Sequence, residues 1–202
     1  MPRCYSDAMR QCQPISPVSL VSVSLVSVSL VSVWLLSDAR NDAVLETVIA
    51  RLPRGSGVVF RHYHLPDAER RRRFEAVRRL CRAHGHLLIL AGTPARARAW
   101  RADGSYGAPC LGRTIATAHN LAEIGAANRL AAAAVMLSPV FSTRSHPDAA
   151  TLGPLRFRLL AARVAAPVIA LGGMTPRTSR RLGARRWAAI DGLTPQEPRK
   201  IR

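Results

Sequence analysis

The sequence predicts an α/β fold of parallel strands, a (β/α)₈ barrel in a single domain. Short apolar runs alternate along the chain with longer amphipathic segments, the connections between them are short, and about eight strand candidates can be counted. Such alternation implies parallel strands joined by right-handed crossovers. A doubly wound sheet satisfies the same pattern, and the count of eight tips the balance toward a closed ring. The chain is lean for a barrel, which typically takes ~200 residues or more without an extension. At 202 residues with 48% hydrophobic content it can build one real core, but hardly two.

The elements follow in order. Residues 31–37 read as a buried strand, and Asn41 or Asp42 then caps a helix whose apolar face is Val44, Leu45, Val48, Ile49 and Leu52. Pro53 and Gly55 end that helix, and 57–61 is the second strand. Pro66 opens the next helix at its favoured first-turn position, with Phe74, Val77, Leu80 and Cys81 turned inward and Arg70 to Arg73 around the solvated girth. Gly85 stops it, and 86–91 is the third strand. A short helix over 93–100 precedes the weakest stretch, 102–113, which is glycine-rich and holds a poor strand near Asp103. Further strands are expected at 114–118, 134–140, 167–171 and 187–191, and helices at 120–130, 155–164 and 176–182.

Composition narrows the class. The net charge is +18, and Lys200 is the only lysine among 30 basic residues. Arginine used almost to the exclusion of lysine reads as a compositional habit. Aromatic residues make up only 5% and no nucleic-acid motif is present, so nucleic acid is not an expected partner. Cys4, Cys12, Cys81 and Cys110 lack any CxxC spacing, which points to reduced thiols and a cytoplasmic setting. Residues 19–33 are three copies of Ser-Leu-Val-Ser-Val. A period of five matches neither helix nor strand, and the run is shorter than the ~20 residues of a membrane span. We therefore expect a low-complexity, disordered extension over 1–30, a barrel over 31–195 and a basic tail over 196–202.

In a parallel barrel the chemistry sits where strands end. Candidate positions there are Asp38, 61–64, Gly92 and Thr93, Tyr106, His119, 138–146, Gly172 and Gly173, and Asp191 and Gly192. Gly172-Gly173 lets backbone N–H groups approach an anion, and the following helix start adds a favourable dipole. Ser142-Thr143-Arg144-Ser145-His146 supplies hydroxyls, a guanidinium and an imidazole suited to phosphate, and an ordinary polar loop reads the same way. Arg61 and Tyr63 would share one strand face, with His62 and His64 on the other; no metal site is expected there. His119 at a strand end could shuttle a proton.

Taken together, 34–38, 58–61, 138–147, Gly153 and 170–174 resemble the thiamine phosphate synthase and TenI-type thiazole tautomerase family. The resemblance spans roughly 33–193 and implies a barrel that joins a pyrimidine diphosphate to a thiazole phosphate, releasing pyrophosphate with magnesium help. It implies that Arg61 holds the diphosphate, that Thr143 and Ser145 receive the thiazole phosphate, that Gly173 brings its amide to phosphate, that Thr117 is a small hydroxyl of the fifth strand, and that His119 matches the histidine of the tautomerase reaction. His146 stands where the family closes the hydroxyl-rich loop with lysine. The departures are concentrated on charge. Val59 and Tyr63 replace a glutamine and a lysine, 91–93 replaces the Asn-Asp pair that supplies a magnesium carboxylate, and 107–110 offers no second one. The readings are a divergent synthase, with Mg²⁺ if that activity is retained; a TenI-like tautomerase using His119, or its inactive relative; and a non-enzymatic binder of phosphorylated pyrimidine or thiazole, or of RNA through the arginine surface. A homo-oligomer is left open.

Overall fold

The computed structural model describes residues 30–109, 114–143 and 150–193, together with Val28. Most of the expected extension, the basic tail, Cys110 and the loop residues Arg144, Ser145 and His146 lie outside the described residues. Eight parallel strands close into a barrel in chain order: β1 Val33–Leu36, β2 Gly57–Phe60, β3 Leu87–Ala91, β4 Gly104–Gly107, β5 Thr114–Ala118, β6 Ala134–Leu137, β7 Val168–Leu171 and β8 Trp187–Ala189. Closure comes from β1, which pairs with β2 through Trp34–Gly57 and with β8 through Trp34–Ala188. The doubly wound alternative is thereby excluded. Outside the ring lie α1 Leu45–Arg51, α2 Asp67–His84, α3 Pro94–Ala99, α4 Leu121–Arg129, α5 Gly153–Ala161 and α6 Pro176–Leu182. The weak stretch near Asp103 does contain a strand, β4, whose Gly-Ser-Tyr-Gly carries little apolar signal of its own.

The core has an inner and an outer part. Inside the ring, Trp34, Leu36, Val59, Ile89, Tyr106, Ile115, Met136 and Ile169 fill the lumen, with Val28 and Val31 packed among them. Trp34 is fully buried, and the ring fits because Gly57 stands beside it: a Cβ there would meet the indole at 2.2 Å. Outside the ring, two clusters press the helices onto the strands, one under α1 to α3 and one under α4 to α6. Burial of Cys81 in the first of these pushes its thiol up to about 12, so it is inert.

Two local expectations are corrected. The first cap is Asp38, not Asn41 or Asp42. It starts a 3₁₀ turn, Ala39–Val44, in which Asn41 is the buried third residue of a capping box, and Val44 is exposed rather than inward. Arg70 is not on the solvated girth of α2 but is buried with Phe74, Val77 and Cys81. Its spacing from Phe74 and Val77 is four and seven residues, which is the inward stripe itself.

The Trp34–Gly57 contact yields a direct test. Gly57→Ala should destabilise the barrel by about 1–3 kcal/mol through overpacking, and Trp34→Leu should relieve most of that loss in the double variant. Urea unfolding measures both, and additive losses would show that the two sites do not share this space.

Candidate functional site

β2 stops at Phe60, so Arg61 to Leu65 form a turn at the C-terminal rim rather than the end of a strand. The expected alternation of Arg61 and Tyr63 against His62 and His64 therefore does not apply. Arg61 is fixed at every polar atom of its backbone. Its N–H donates to Ser37 Oγ at 2.9 Å, and its carbonyl accepts from Arg70 Nε at 2.8 Å. Its side chain donates from Nε to the Ser37 carbonyl at 3.0 Å and from Nη2 to Asp38 at 2.5 Å. Asp38 also takes Arg40, which reaches Asp191 beyond β8 at 3.3 Å. Burial would raise the Asp38 carboxyl, but the hydrogen bonds from Arg40 and the charge of Arg61 hold it below its ordinary range.

Beneath this surface lies a second chain of groups. His62 is 1% exposed and adopts φ 38°, a conformation that costs a non-glycine residue on the order of 1–3 kcal/mol. Its Nδ1 lies 2.8 Å from Ser37 Oγ and its Nε2 lies 2.7 Å from Asp42, while its ring stacks on Phe60 at 4.5 Å. Burial depresses the imidazole pKa against the opposing pull of Asp42, favouring the neutral ring. In that state Nε2–H donates to Asp42 and Nδ1 accepts from the Ser37 hydroxyl. Asp42 is shared with Arg73, which also grips Glu46.

Arg70 completes this arc. Its Nη2 donates to the Ala91 carbonyl at the end of β3 at 2.7 Å, and its guanidinium lies 5.2 Å from the Tyr63 ring centre and 5.6 Å from that of Trp100. The charge run of α2 thus sends one arginine under the rim, holding the ends of β2 and β3 together. Asp38, Ala39, Arg61, His62, Tyr63 and His64 line an open cleft of about 260 Å³ above it.

The opposite arc carries the other predicted residues. His119 is exposed after β5, and its Nδ1 lies 2.8 Å from the Ser138 carbonyl. A carbonyl can only accept, so Nδ1 carries the proton and Nε2 presents its lone pair when the ring is neutral. Thr117 is half-buried on β5, with its hydroxyl 3.5 Å from the Gly107 carbonyl. Thr143 is half-buried in the loop after β6, whereas Ser145 and His146 lie outside the described residues. Gly172 and Gly173 have φ of 100° and 60°, so glycine is required by conformation. Space requires it too: a Cβ on Gly172 would meet Pro139 Cα at 2.7 Å, and one on Gly173 would meet the Ser142 carbonyl at 2.6 Å. Val140 and Phe141 donate their N–H groups to Leu171 and Gly172, tying the loops after β6 and β7 together. The helix start offers less to an anion than the sequence suggests. Pro176 has no N–H and that of Thr178 is taken by Thr175 Oγ1, which leaves Arg177 as the first-turn amide beside those of the glycine turn.

Arg61, Thr117, His119, Thr143, Gly172 and Gly173 therefore share one end of the barrel, because each lies on or just beyond the C-terminal half of a parallel strand. Arg61 faces the loop of Thr143 across the ring, four strands away. A ligand touching both must span the mouth. Sequence reasoning missed Ser37, Asp42, His62 and Arg70 as a connected group; only the spacing of Arg70 signalled its place.

The rim carboxylates do not suit a resident magnesium ion. Asp38, Asp42 and Asp191 are each spent on arginine or histidine, and no group of three or more His, Cys, Asp or Glu side chains able to hold a metal exists among the described residues.

Two outcomes follow. Arg70→Leu strips one buried and one half-buried carbonyl of their charged donor and should cost about 2–4 kcal/mol in urea unfolding; an unchanged midpoint would contradict its structural role. His62 and His86 both have depressed pKa values caused first by burial. The unfolded chain takes up those protons below its ordinary histidine value of 6.5 while the folded chain does not. Stability should therefore fall as pH drops from 6.5 toward the folded values, and His62→Gln should flatten part of that slope. A slope unchanged in the variant would show that His62 is not the group responsible.

Comparison with known proteins agrees with this fold. The family model described as thiamine monophosphate synthase matches residues 113–193. A protein of Aquifex aeolicus strain VF5 described as "Putative thiamine-phosphate synthase 2" is 31% identical over 144 residues, covering 65% of this chain and 77% of that protein. Among solved structures, the thiamine phosphate pyrophosphorylase of Pyrococcus furiosus superposes with a TM-score of 0.69 at 21% identity, covering 82% of this chain and 88% of that one. The YdjI aldolase of Escherichia coli K12 shares the barrel more loosely, with a TM-score of 0.55 at 8% identity over 87% and 80% of the two chains. The identity to the Aquifex protein, sustained over most of its length, shows that this chain belongs to the thiamine monophosphate synthase family.

Proposed function

We propose that the chain joins hydroxymethylpyrimidine diphosphate to thiazole phosphate and releases pyrophosphate, with arginine meeting the diphosphate charge at the β1–β2 side of the rim. The observation that carries this reading is Arg61, pinned on backbone and side chain at the mouth of an open cleft in a barrel of this family. Arginine binds phosphate oxygens through paired N–H donors and keeps its charge at any working pH. Its second terminal nitrogen, Nη1, makes no hydrogen bond among the described residues, so it is the donor left for a ligand. Magnesium, where this activity is retained, enters as the counter-ion of the diphosphate substrate, since the rim carboxylates are otherwise engaged. Coupling needs the two substrates brought into line, and the family's thiazole phosphate side would be the loop of Thr143 and the Gly172-Gly173 turn, across the ring from Arg61.

A second reading is favoured by one observation. The tautomer of His119 is set by Ser138, leaving Nε2 as a base at the rim. A TenI-like aromatisation of the thiazole needs such a proton acceptor and no diphosphate.

The two readings separate in one assay set. The native chain, given both substrates and magnesium, should form thiamine phosphate, and Arg61→Ala should lower kcat/KM by about 10- to 100-fold, the value of a charged hydrogen-bonding pair. His119→Ala should leave that rate within a few-fold. If no thiamine phosphate forms at saturating substrate while the native chain aromatises the thiazole and His119→Ala does not, the tautomerase reading replaces the synthase.

A further inference from the structure

The Ser37, His62 and Asp42 side chains form a hydrogen-bonded series, Oγ to Nδ1 at 2.8 Å and Nε2 to carboxylate at 2.7 Å. This series has the composition of a nucleophilic triad, but not the access. Ser37 is fully buried, and its hydroxyl oxygen already accepts from the Arg61 N–H. No substrate atom can reach it, and the series ends on a backbone amide rather than on a reacting group. Its product is a position. We propose that Ser37, His62 and Asp42 are a positioning clamp that presets Arg61 for phosphate, so that ligand affinity depends on three side chains that touch no ligand.

Three observations point the same way. First, the amide of Arg61 is held by the serine, and the serine's orientation is set by the imidazole behind it. Second, the backbone at His62 sits at φ 38°, which a β-carbon disfavours, and the ring that enforces this is locked between Asp42 and the face of Phe60. Third, the clamp reaches outside the barrel. Asp42 belongs to the turn after β1, and it is steadied by Arg73 of α2, so the aim of a residue in the turn after β2 is referred to two other elements. Holding a binding group within a fraction of an ångström of its working position is what such supporting shells accomplish. The Ser37 carbonyl and Asp38 hold the guanidinium itself, so what the clamp adds is a fixed backbone at Arg61; without it that backbone would have to be ordered on binding, and phosphate would be held more weakly.

The proposal rests on Arg61 being the phosphate ligand of the proposed function, and the test keeps the two apart. The probe is inorganic pyrophosphate, titrated calorimetrically into the full chain and its variants, with thermal unfolding of each as a folding control. Arg61→Ala should weaken binding by about tenfold or more. Ser37→Ala should weaken it by about threefold or more in the native background, and by less than about twofold when Arg61 is already alanine, because coupled residues are not additive. Asp42 gives a second route at the exposed end of the series. Asp42→Asn keeps an acceptor for His62 Nε2–H and should bind within about twofold of the native chain, whereas Asp42→Ala should follow Ser37→Ala. A clamp with no role beyond folding would lower the unfolding temperature while leaving affinity, coupling and the asparagine rescue flat. Native affinity in both Ser37→Ala and Asp42→Ala, beside a weakened Arg61→Ala, overturns the clamp alone. Native affinity in Arg61→Ala overturns the proposed site, and the clamp with it.

Discussion

The closure of β1 against both β2 and β8 is the constraint on which the rest of the molecule depends. An open sheet would place the residues following its strands along a line. A closed ring of parallel strands places them on a circle, so that groups far apart in the chain face one mouth. Closure also sets the packing problem inside. The lumen must take Trp34, and it does so only because Gly57 and Ala188 beside it are small. The lower part of the barrel is therefore filled with side chains, and the candidate site residues stand above it at the upper rim.

At that rim the notable economy is in carboxylates. The arc over β1, β2 and α2 uses Asp38, Asp42, Glu46 and Asp191 to hold arginines and a histidine. Arg70 is placed by two carbonyls and three aromatic rings instead. The outcome is a charge-paired wall beside a cleft, and the positions where the family resemblance implies metal carboxylates, 91–93 and 107–110, carry none. Positive charge fixed in the protein and positive charge brought by a metal both neutralise phosphate. They differ in geometry, since a guanidinium offers planar donors and magnesium an octahedron. The opposite arc is built on different physics. There, glycine conformations and backbone hydrogen bonds shape the loops, and the Ser138 carbonyl orients the His119 ring.

How much of this was legible in the sequence depends on how local each determinant is. The apolar runs of β2, β3, β5, β6 and β7 announced themselves, and so did the stops at Gly85 and the start at Pro176, because one or two residues decide them. β4 was nearly silent, since its strand is specified by neighbours on both sides and not by its own composition. The inward arginine of α2 was hidden by three more beside it. A run of like residues reads as solvated unless the stripe of Phe74, Val77 and Cys81 is extended one turn back. His62 was beyond reach for a different reason. Its role comes from Ser37 and Asp42, which are brought to it by barrel closure and by an unusual backbone angle, and neither leaves a mark on the linear pattern. The rim residues Arg61, His119 and Gly172-Gly173 were found because strand ends are predictable once strands are. Their hydrogen-bond partners were not.

A crystal structure of the full chain with inorganic pyrophosphate tests the central claim most directly, because that claim concerns where in the ring an anion is gathered. The expected result is an anion at the C-terminal mouth of the barrel, within hydrogen-bond distance of the Arg61 guanidinium. An anion bound only on the outer helices, with the mouth empty at saturating pyrophosphate, would contradict it.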